Sequence, residues 1–262
     1  MFTILILGLL VGIILGLTGA GGGILAIPAL VFSQGWSVSE AAPIGLLAVT
    51  GAAIVGAVEG FIRKLVRYRA ALWISIVGIP MTPLGLLVAH VLPSRWLMIS
   101  FSGTMLIVAI RLLRPNANNE QYHPCHINPD TGRLYWTTKT VVILGGVGVL
   151  TGFLTGLLGV GGGFVLVPAL RKATNISMHG IVATSLFIIA LVGSGGIISS
   201  LIQGHIFPLT VAIPFIVACM VGMFGGRKLI HHFKAQTVQQ FFAFLVIAVS
   251  IMMFFRALQI DL

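Results

Sequence analysis

The sequence predicts an all-α integral membrane protein built from two related halves, and three observations favour this class. Of the 262 residues, 58% are hydrophobic and 8% are charged, whereas a soluble domain is typically about 25% charged. The apolar residues form eight runs, most of them close to the roughly 20 residues that a helix needs to cross a bilayer. A glycine-rich motif occurs twice, as it does in transporters that are built from repeats.

The repeated motif is an apolar run that a glycine triplet interrupts. Residues 12–30 read GIILGLTGAGGGILAIPAL, and residues 152–170 read GFLTGLLGVGGGFVLVPAL. Ten of these nineteen positions are identical, and they include all six glycines of the first copy. The recurrence predicts that the chain contains two versions of one structural unit.

The eight apolar segments fall four on each side of a polar linker. They lie at residues 2–32, 41–62, 70–92, 96–113, 138–170, 178–203, 206–226 and 237–258. We therefore divide the chain into a first membrane repeat (1–113), a polar linker (114–137) and a second membrane repeat (138–262). The offset of 140 residues continues outside the motif, where it sets Gly85 opposite Gly225.

The positive charges predict that the two repeats are inverted. Loops on the cytoplasmic side of a membrane carry an excess of Lys and Arg. If all eight segments cross, the 15 basic residues divide nine against six between the two sides. If segments 1 and 5 instead turn back at their glycines, one side keeps only Arg95 and Arg256 and the other holds thirteen. We therefore expect a multi-pass protein of the plasma (inner) membrane with cytoplasmic basic loops and both termini outside.

The length of chain after each triplet agrees with this arrangement. Residues 24–33, at about 1.5 Å per residue, reach only about half of the roughly 30 Å hydrocarbon core. Non-helical backbone at that depth is tolerated only where it is buried in protein or lines a wet cavity. Segments 1 and 5 are therefore predicted to be broken or re-entrant at their glycines.

The glycine triplets are the first candidates for a binding site. They are Gly21, Gly22 and Gly23 in one repeat and Gly161, Gly162 and Gly163 in the other. Each precedes a short helix whose first N–H groups lack intrahelical partners and carry the positive end of the helix dipole. Two such N-termini that face each other can hold an anion without a charged side chain.

The alternative interpretation is that the glycines only let helices pack closely, as patterns of small residues do. It suits four glycines earlier in the motif better than the triplets, namely Gly12, Gly16, Gly152 and Gly156. A nucleotide-binding loop is a poor alternative, because no strand precedes the triplets and no Gly-Lys-Ser/Thr follows them.

The double motif resembles that of the sulfite exporter TauE/SafE family, also described as transmembrane sulfur-anion permeases. The resemblance is carried by residues 16–28 and 156–168, and residues 183–186 read ATSL, as family members do one segment later. It covers nearly the whole chain and implies transport of sulfite, an organosulfonate or a related small anion. The first half departs from the pattern, because residues 43–45 read PIG and carry no hydroxyl.

Three hydroxyl side chains complete the predicted substrate-binding set. Thr184 and Ser185 follow the second short helix by one segment, and Thr18 lies beside the first triplet. Each hydroxyl can donate a hydrogen bond to an oxyanion, or it can simply bond to its own helix. Both interpretations remain open for all three residues.

The remaining polar residues predict no enzyme, metal site or cofactor. Glu59 lies inside an apolar run, and Arg63 four residues later makes an i,i+4 ion pair the simplest account of it. A thiol and two imidazoles occur in the linker at His123, Cys125 and His126, without the second ligand pair of a structural zinc site. No nucleophile stands with a base at membrane depth, and the basic residues sit between apolar segments, which excludes a nucleic-acid partner.

The function predicted from the sequence is therefore secondary transport of a small sulfur oxyanion by alternating access around a midplane site. An anion channel of the same architecture and a non-transport membrane assembly protein are the alternatives. The expected partners are the anionic substrate, the lipid bilayer and, in a homo-oligomer, further copies of the chain.

Overall fold

The computed structural model describes residues 2–19, 22–113, 125, 135–203, 208–229 and 235–259. These residues form eleven α-helices: α1 (Phe2–Thr18), α2 (Gly23–Gln34), α3 (Val38–Ile62), α4 (Tyr68–Gly78), α5 (Met81–Val91), α6 (Ser94–Leu113), α7 (Thr138–Leu158), α8 (Gly163–Ala173), α9 (Met178–Ile202), α10 (Leu209–Leu229) and α11 (Ala235–Gln259). Each apolar segment contains at least one helix, and the first, third and fifth segments contain two.

Six of these helices are long and apolar enough to cross a membrane: α3, α6, α7, α9, α10 and the larger part of α11. The described residues give up to seven such spans if α4 and α5 count as one. Helices α1 and α2 are shorter apolar helices. The structure therefore agrees with the predicted class, an all-α protein with several membrane-spanning helices.

The third segment is not the single helix that its apolar run predicts. Helices α4 and α5 meet at a bend of 43°, and Pro80 is the residue that precedes α5. Proline has no N–H and its ring clashes with the preceding turn, so a continuous helix cannot pass through it undisturbed. The sequence contains this signal at Pro80 and Pro83, although the apolar run taken alone predicts one unbroken segment.

Helix α1 packs along α10 in the same direction, through glycines that bring the two backbones together. A Cβ atom at Gly8 would lie 2.9 Å from the Phe215 carbonyl oxygen, and one at Gly16 would lie 2.6 Å from the Met223 carbonyl oxygen. Between them, a Cβ at Gly12 would overlap the backbone of α10. Larger residues cannot occupy this seam without separating the helices.

Helix α7 packs in the same way along the bent pair α4–α5. A Cβ at Gly148 would lie 2.6 Å from the Ile74 carbonyl oxygen, and one at Gly156 would overlap the carbonyl of Thr82. Each contacting residue of α7 thus lies 140 positions after its counterpart in α1. Each contacting residue of α10 lies 141 positions after its counterpart in α4–α5.

The change of offset corrects one sequence alignment. A Cβ at Gly85 would overlap the carbonyl of Phe153, and one at Gly226 would overlap that of Ile13. Gly225, which the constant offset aligns with Gly85, has no neighbour within 4 Å of such an atom. The equivalent of Gly85 is therefore Gly226, one residue further than predicted.

Helices α3 and α9 cross the centre of the molecule in opposite directions. Near one end Gly60 meets Ala183, and near the other Gly196 meets Leu46. Both helices begin with a serine cap, since Ser37 accepts a hydrogen bond from the third residue of α3 and Ser177 does the same for α9. Helix α6 pairs with α11, where a buried serine hydroxyl of α11 donates to a backbone carbonyl of α6.

Several basic side chains of the described residues lie at one end of the bundle, which we call the basic end. Glu59, near the end of α3, pairs with Arg63 and with Arg227 near the end of α10. Arg171 at the end of α8 donates to Gln239 of α11, which in turn bonds the last turn of α6. At the opposite end, Arg256 of α11 donates to a carbonyl near the end of α2.

Candidate functional site

Two helix breaks meet between α3 and α9. The first break, residues 19–22, separates α1 from α2, and the second, residues 159–162, separates α7 from α8. A Cβ at Gly23 would lie 2.8 Å from the Val160 carbonyl oxygen and 3.1 Å from the Val49 side chain of α3. Gly161 lies against Ile189 of α9 on the other side.

The second break depends on glycine. Gly161 and Gly162 have φ angles of 75° and 61°, in the left-handed region that residues with a Cβ rarely adopt. A Cβ at Gly162 would also lie 2.9 Å from the Thr155 Oγ1 atom. Gly162 caps α8 without a side-chain hydrogen bond, so the first N–H groups of α8 receive no capping side chain there.

The first break is only partly described, because Ala20 and Gly21 lie outside the described residues. Gly22 precedes α2 with an ordinary helical φ of −58°, and a Cβ there would lie 2.5 Å from the Leu15 Cα atom. Thr18 donates its hydroxyl to the Ile14 carbonyl at 2.7 Å, within its own helix. Gly163, in the other half, is the buried first residue of α8.

The two hydroxyls of the ATSL element point to different places. Ser185 donates to the Val182 carbonyl at 2.9 Å and reaches the Gly19 carbonyl of the first break at 3.4 Å. Thr184 instead accepts a hydrogen bond from the Arg67 backbone N–H at 3.0 Å. Of the two, Ser185 is the one in contact with a break, and Thr184 holds the connection between α3 and α4.

Three further buried hydroxyls were not in the predicted site. Thr50, Thr151 and Ser200 have Oγ atoms without a hydrogen-bond partner in the described part of the chain. Thr151 contacts Gly162, and Thr50 follows Val49 in α3. A buried hydroxyl without a partner costs free energy, so these positions suit a polar ligand or water. The sequence alone gives no signal that these three hydroxyls lack hydrogen-bond partners.

A narrow pocket adjoins the second break on the side away from the basic end. Its lining is mostly apolar, with hydroxyls from Thr82, Thr155 and Ser200 and the imidazole of His90. Beside the first break, the Met223 methyl group and the Leu186 side chain lie against Gly56 in the way that Thr82 and Leu46 lie against Gly196.

The predicted ion pair between Glu59 and Arg63 is present at 3.0 Å. Sequence reasoning missed its second partner, Arg227, whose Nε lies 2.8 Å from the other carboxylate oxygen. Arg227 is buried, and 168 residues separate it from Glu59. No sequence pattern links residues so far apart.

The described part of the linker gives no support for a metal site. Cys125 is buried and its N–H donates to the Ala173 carbonyl at 3.0 Å. Burial raises the pKa of the Cys125 thiol, which disfavours the thiolate that metals bind. No metal-binding group of His, Cys, Asp and Glu occurs among the described residues, and His123 and His126 lie outside them.

Comparison with known proteins identifies one family and several relatives that are named as membrane transporters. Residues 4–253 match the sequence model of the family described as Sulfite exporter TauE/SafE. A probable membrane transporter protein of Xylella fastidiosa is 31% identical over 95% of this chain and 93% of its own length. The probable membrane transporter protein YunE of Bacillus subtilis is 27% identical over 86% of this chain and 85% of its own. A probable membrane transporter protein of Methanocaldococcus jannaschii is 28% identical over 86% of each. No solved structure matches.

Proposed function

Since the chain belongs to the sulfite exporter TauE/SafE family, and its relatives above are named probable membrane transporter proteins, we propose that it is a secondary transporter of a small sulfur oxyanion. Sulfite, an organosulfonate or a similar anion binds between the two helix breaks. Transport proceeds by alternating access, with the site open to one side of the membrane at a time.

The observation that carries this proposal is the meeting of the two breaks between α3 and α9. Gly23 lies against the Val160 carbonyl, so the N-termini of α2 and α8 share one region. Their N–H groups offer donors to an oxyanion, and the partnerless hydroxyls of Thr50 and Thr151 offer two more. Neutral donors bind an anion without the cost of burying a countercharge.

The repeated contacts support an inverted pair of repeats, 1–113 and 138–262, joined by the linker. Val182 lies against Gly19, and Ala42 lies against Gly159, so each break contacts the same position of the other half. Helices α1 and α2 then enter from one face and return to it, and α7 and α8 do so from the other. Six crossings remain, although α7 is long enough to be a seventh.

The names of the relatives above favour a transporter over a channel. A pocket lined by Thr155 and Ser200 adjoins the second break, and a transporter would open such a space to one side of the membrane at a time. The basic end is cytoplasmic by the positive-inside rule, so this pocket lies on the outward side in the plasma membrane.

The experiment is anion flux in reconstituted vesicles with sulfite, sulfate, thiosulfate, taurine and sulfoacetate. We expect saturable flux of at least one of these that depends on an imposed ion gradient. Flux that rises linearly with concentration at channel-like rates would identify a channel, and no flux of any of the five would refute the proposed substrate class.

Replacing Gly23 with Ala tests the region between the breaks. The added methyl group would lie 2.8 Å from the Val160 carbonyl oxygen, so we expect KM for the transported anion to rise severalfold while the protein still inserts. Gly103→Ala is the matched control, because a Cβ there has no neighbour within 4 Å. Equal KM values in the two variants would leave only close packing as the role of the break.

A further inference from the structure

Two equivalent contacts between α3 and α9 lie on either side of the helix breaks, and one residue of a third helix completes each of them. We call them the inner contact, on the side of the basic end, and the outer contact, on the opposite side. The inner contact consists of Leu186, Met223 and Gly56, and the outer contact consists of Leu46, Thr82 and Gly196. A Cβ at Gly56 would lie 2.8 Å from Leu186 Cδ1, and one at Gly196 would lie 2.9 Å from Leu46 Cδ2. The offsets of 140 and 141 relate the two contacts residue by residue.

Both contacts stand close to the breaks along the two crossing helices. Val49 of α3 lies against Gly161, about one turn after the leucine of the outer contact and about two turns before the glycine of the inner contact. Ile189 of α9 lies against the same glycine, about one turn after the leucine of the inner contact and about two turns before the glycine of the outer contact. A ligand at the breaks would therefore lie between the two contacts.

The four side chains of these contacts are buried, and none of them is more than 5% exposed. The pocket beside the second break is lined by all three residues of the outer contact. Parting of the outer contact would therefore extend this pocket towards the breaks.

An ion pair stands directly beyond the inner contact. Glu59 follows Gly56 by three residues on α3, and Arg227 follows Met223 by four residues on α10. The Arg227 Nε atom lies 2.8 Å from a Glu59 carboxylate oxygen, and the Arg227 side chain is 6% exposed. The pair ties together the same two helices that Met223 and Gly56 bring into contact. Separation of α3 from α10 therefore requires the loss of a charge-assisted hydrogen bond, which is stronger than a neutral one.

The equivalent positions beyond the outer contact cannot form an ion pair. By the same offsets, Ser199 replaces Glu59 and Leu86 replaces Arg227. The Ser199 hydroxyl donates to the Gly195 carbonyl of its own helix, and leucine has no polar side-chain group. The two contacts are thus alike in shape, but only the positions beyond the inner one carry charge.

We propose that the inner and outer contacts are the two gates of the transport path, and that the pair of Glu59 with Arg227 is a latch on the inner gate. The proposal rests on the transport function proposed above and assigns the residues that open each side. The outer gate opens without the loss of an ion pair, whereas the inner gate opens only after Glu59 and Arg227 part. The conformation open to the outside is therefore the more populated of the two open conformations.

The test uses Thr50→Cys as a reporter, in a chain whose Cys125 and Cys219 are replaced by alanine. Position 50 lies between the two contacts on α3, and Thr50 is 2% exposed. A small impermeant thiol reagent is added to inside-out vesicles, which present the basic end, or to right-side-out vesicles, which present the opposite end. The rate of reaction then measures how often the gate that faces the reagent opens.

Arg227→Gln should raise the reaction rate about tenfold in inside-out vesicles, the size of effect expected for the loss of a charged hydrogen bond. It should lower the rate in right-side-out vesicles, because the two open conformations draw on one population. Partial unfolding would instead raise both rates. Arg227→Lys should recover part of the change, since lysine keeps the charge but not the planar fork.

Arg63→Gln is the matched control. It removes the other partner of Glu59, but Arg63 lies on the same helix as Glu59, so its loss does not uncouple α3 from α10. We expect both reaction rates to stay within about twofold of those of the unmodified latch.

Met223→Thr tests the inner gate without a change of charge. It gives the inner contact the residue that the outer contact has at Thr82, so it should raise the rate in inside-out vesicles and lower it in right-side-out vesicles. Thr82→Met should lower the rate in right-side-out vesicles. These two variants carry the test of the gates if Arg227→Gln inserts poorly, and unchanged rates in both would overturn the gates.

Equal changes in both vesicle orientations, no change in either, or the same shift in Arg63→Gln would overturn the latch. The labelling needs no substrate, so its result is separate from that of the flux experiment. If none of the five anions is transported but the two rates shift in opposite directions, the substrate class is refuted and the gates stand. If flux occurs and Arg227→Gln leaves both rates unchanged, the latch is refuted and transport stands.

Discussion

At the scale of single residues, the buried hydroxyls fall into those that bond their own helix and those that have no partner in the described chain. Ser185, Thr155 and Thr18 bond backbone carbonyls within their own helices, and this use of a hydroxyl needs no ligand. Thr50 and Ser200 are buried without a partner in the described chain. The second group therefore has more to gain from a bound anion than the hydroxyls that the sequence singled out.

Ser200→Ala should weaken outward binding without weakening the fold. The change removes a buried hydroxyl that has no partner and lines the cavity, so no hydrogen bond is lost. We expect an unchanged or slightly higher Tm and a KM for sulfite that rises severalfold in right-side-out vesicles. Ser199→Ala, whose hydroxyl bonds the Gly195 carbonyl, is the neighbouring control. A clear drop in Tm for Ser200→Ala would assign its hydroxyl a structural role instead.

At the scale of helices, glycine seams decide which helices pair. The seams α1–α10 and α7–α4/α5 each join the two halves of the chain, and both bring backbones into contact. Dispersion contacts between close backbones are a main source of helix association in lipid, where the hydrophobic effect gives little help. The four glycines assigned to close packing by the sequence lie in these seams.

Gly12→Ala should destabilise the protein. The new methyl group would overlap the Cys219 backbone, and overpacking of this kind costs about 1–3 kcal/mol. Thermal unfolding in detergent should show a lower Tm for Gly12→Ala than for Gly225→Ala on the partner helix, where a Cβ has no neighbour within 4 Å. Equal Tm values would show that α1 can shift along α10 without loss.

Sequence reasoning reached the helix breaks because glycine triplets are local signals with a known backbone consequence. It could have reached the bend between α4 and α5, since Pro80 is equally local. The contact of Arg227 with Glu59 could not be predicted, because no sequence pattern indicates which of two distant ionic side chains form a pair. Sequence reasoning also aligned Gly85 one residue short, because a single inserted residue leaves the apolar pattern unchanged.

At the scale of the whole molecule, the contacts bring the predicted basic loops to one end. The pair of Glu59 with Arg227 joins the end of α3 to the end of α10, and the bond from Arg67 to Thr184 adds the start of α9. The inverted arrangement of the repeats, and with it the division of thirteen against two basic residues between the sides of the membrane, stays a prediction that labelling can test.

Single cysteines introduced by Lys64→Cys, Lys228→Cys and Arg95→Cys test the orientation in intact cells. With Cys125 and Cys219 replaced by alanine, an impermeant maleimide should label position 95 from outside. Positions 64 and 228 should react only after the cells are opened. Labelling of 64 and 228 from opposite sides would contradict the inverted arrangement, and labelling of both from outside would reverse the topology.

The seam between α1 and α10 also bears on how the protein is made. Helix α1 is synthesised well before α10, the helix that its glycines fit. Until α10 is made, the glycine seam of α1 has no partner, whether α1 lies in the translocon or among lipids. We therefore expect this seam to close late in membrane insertion, so that a chain that stalls before α10 leaves it uncovered.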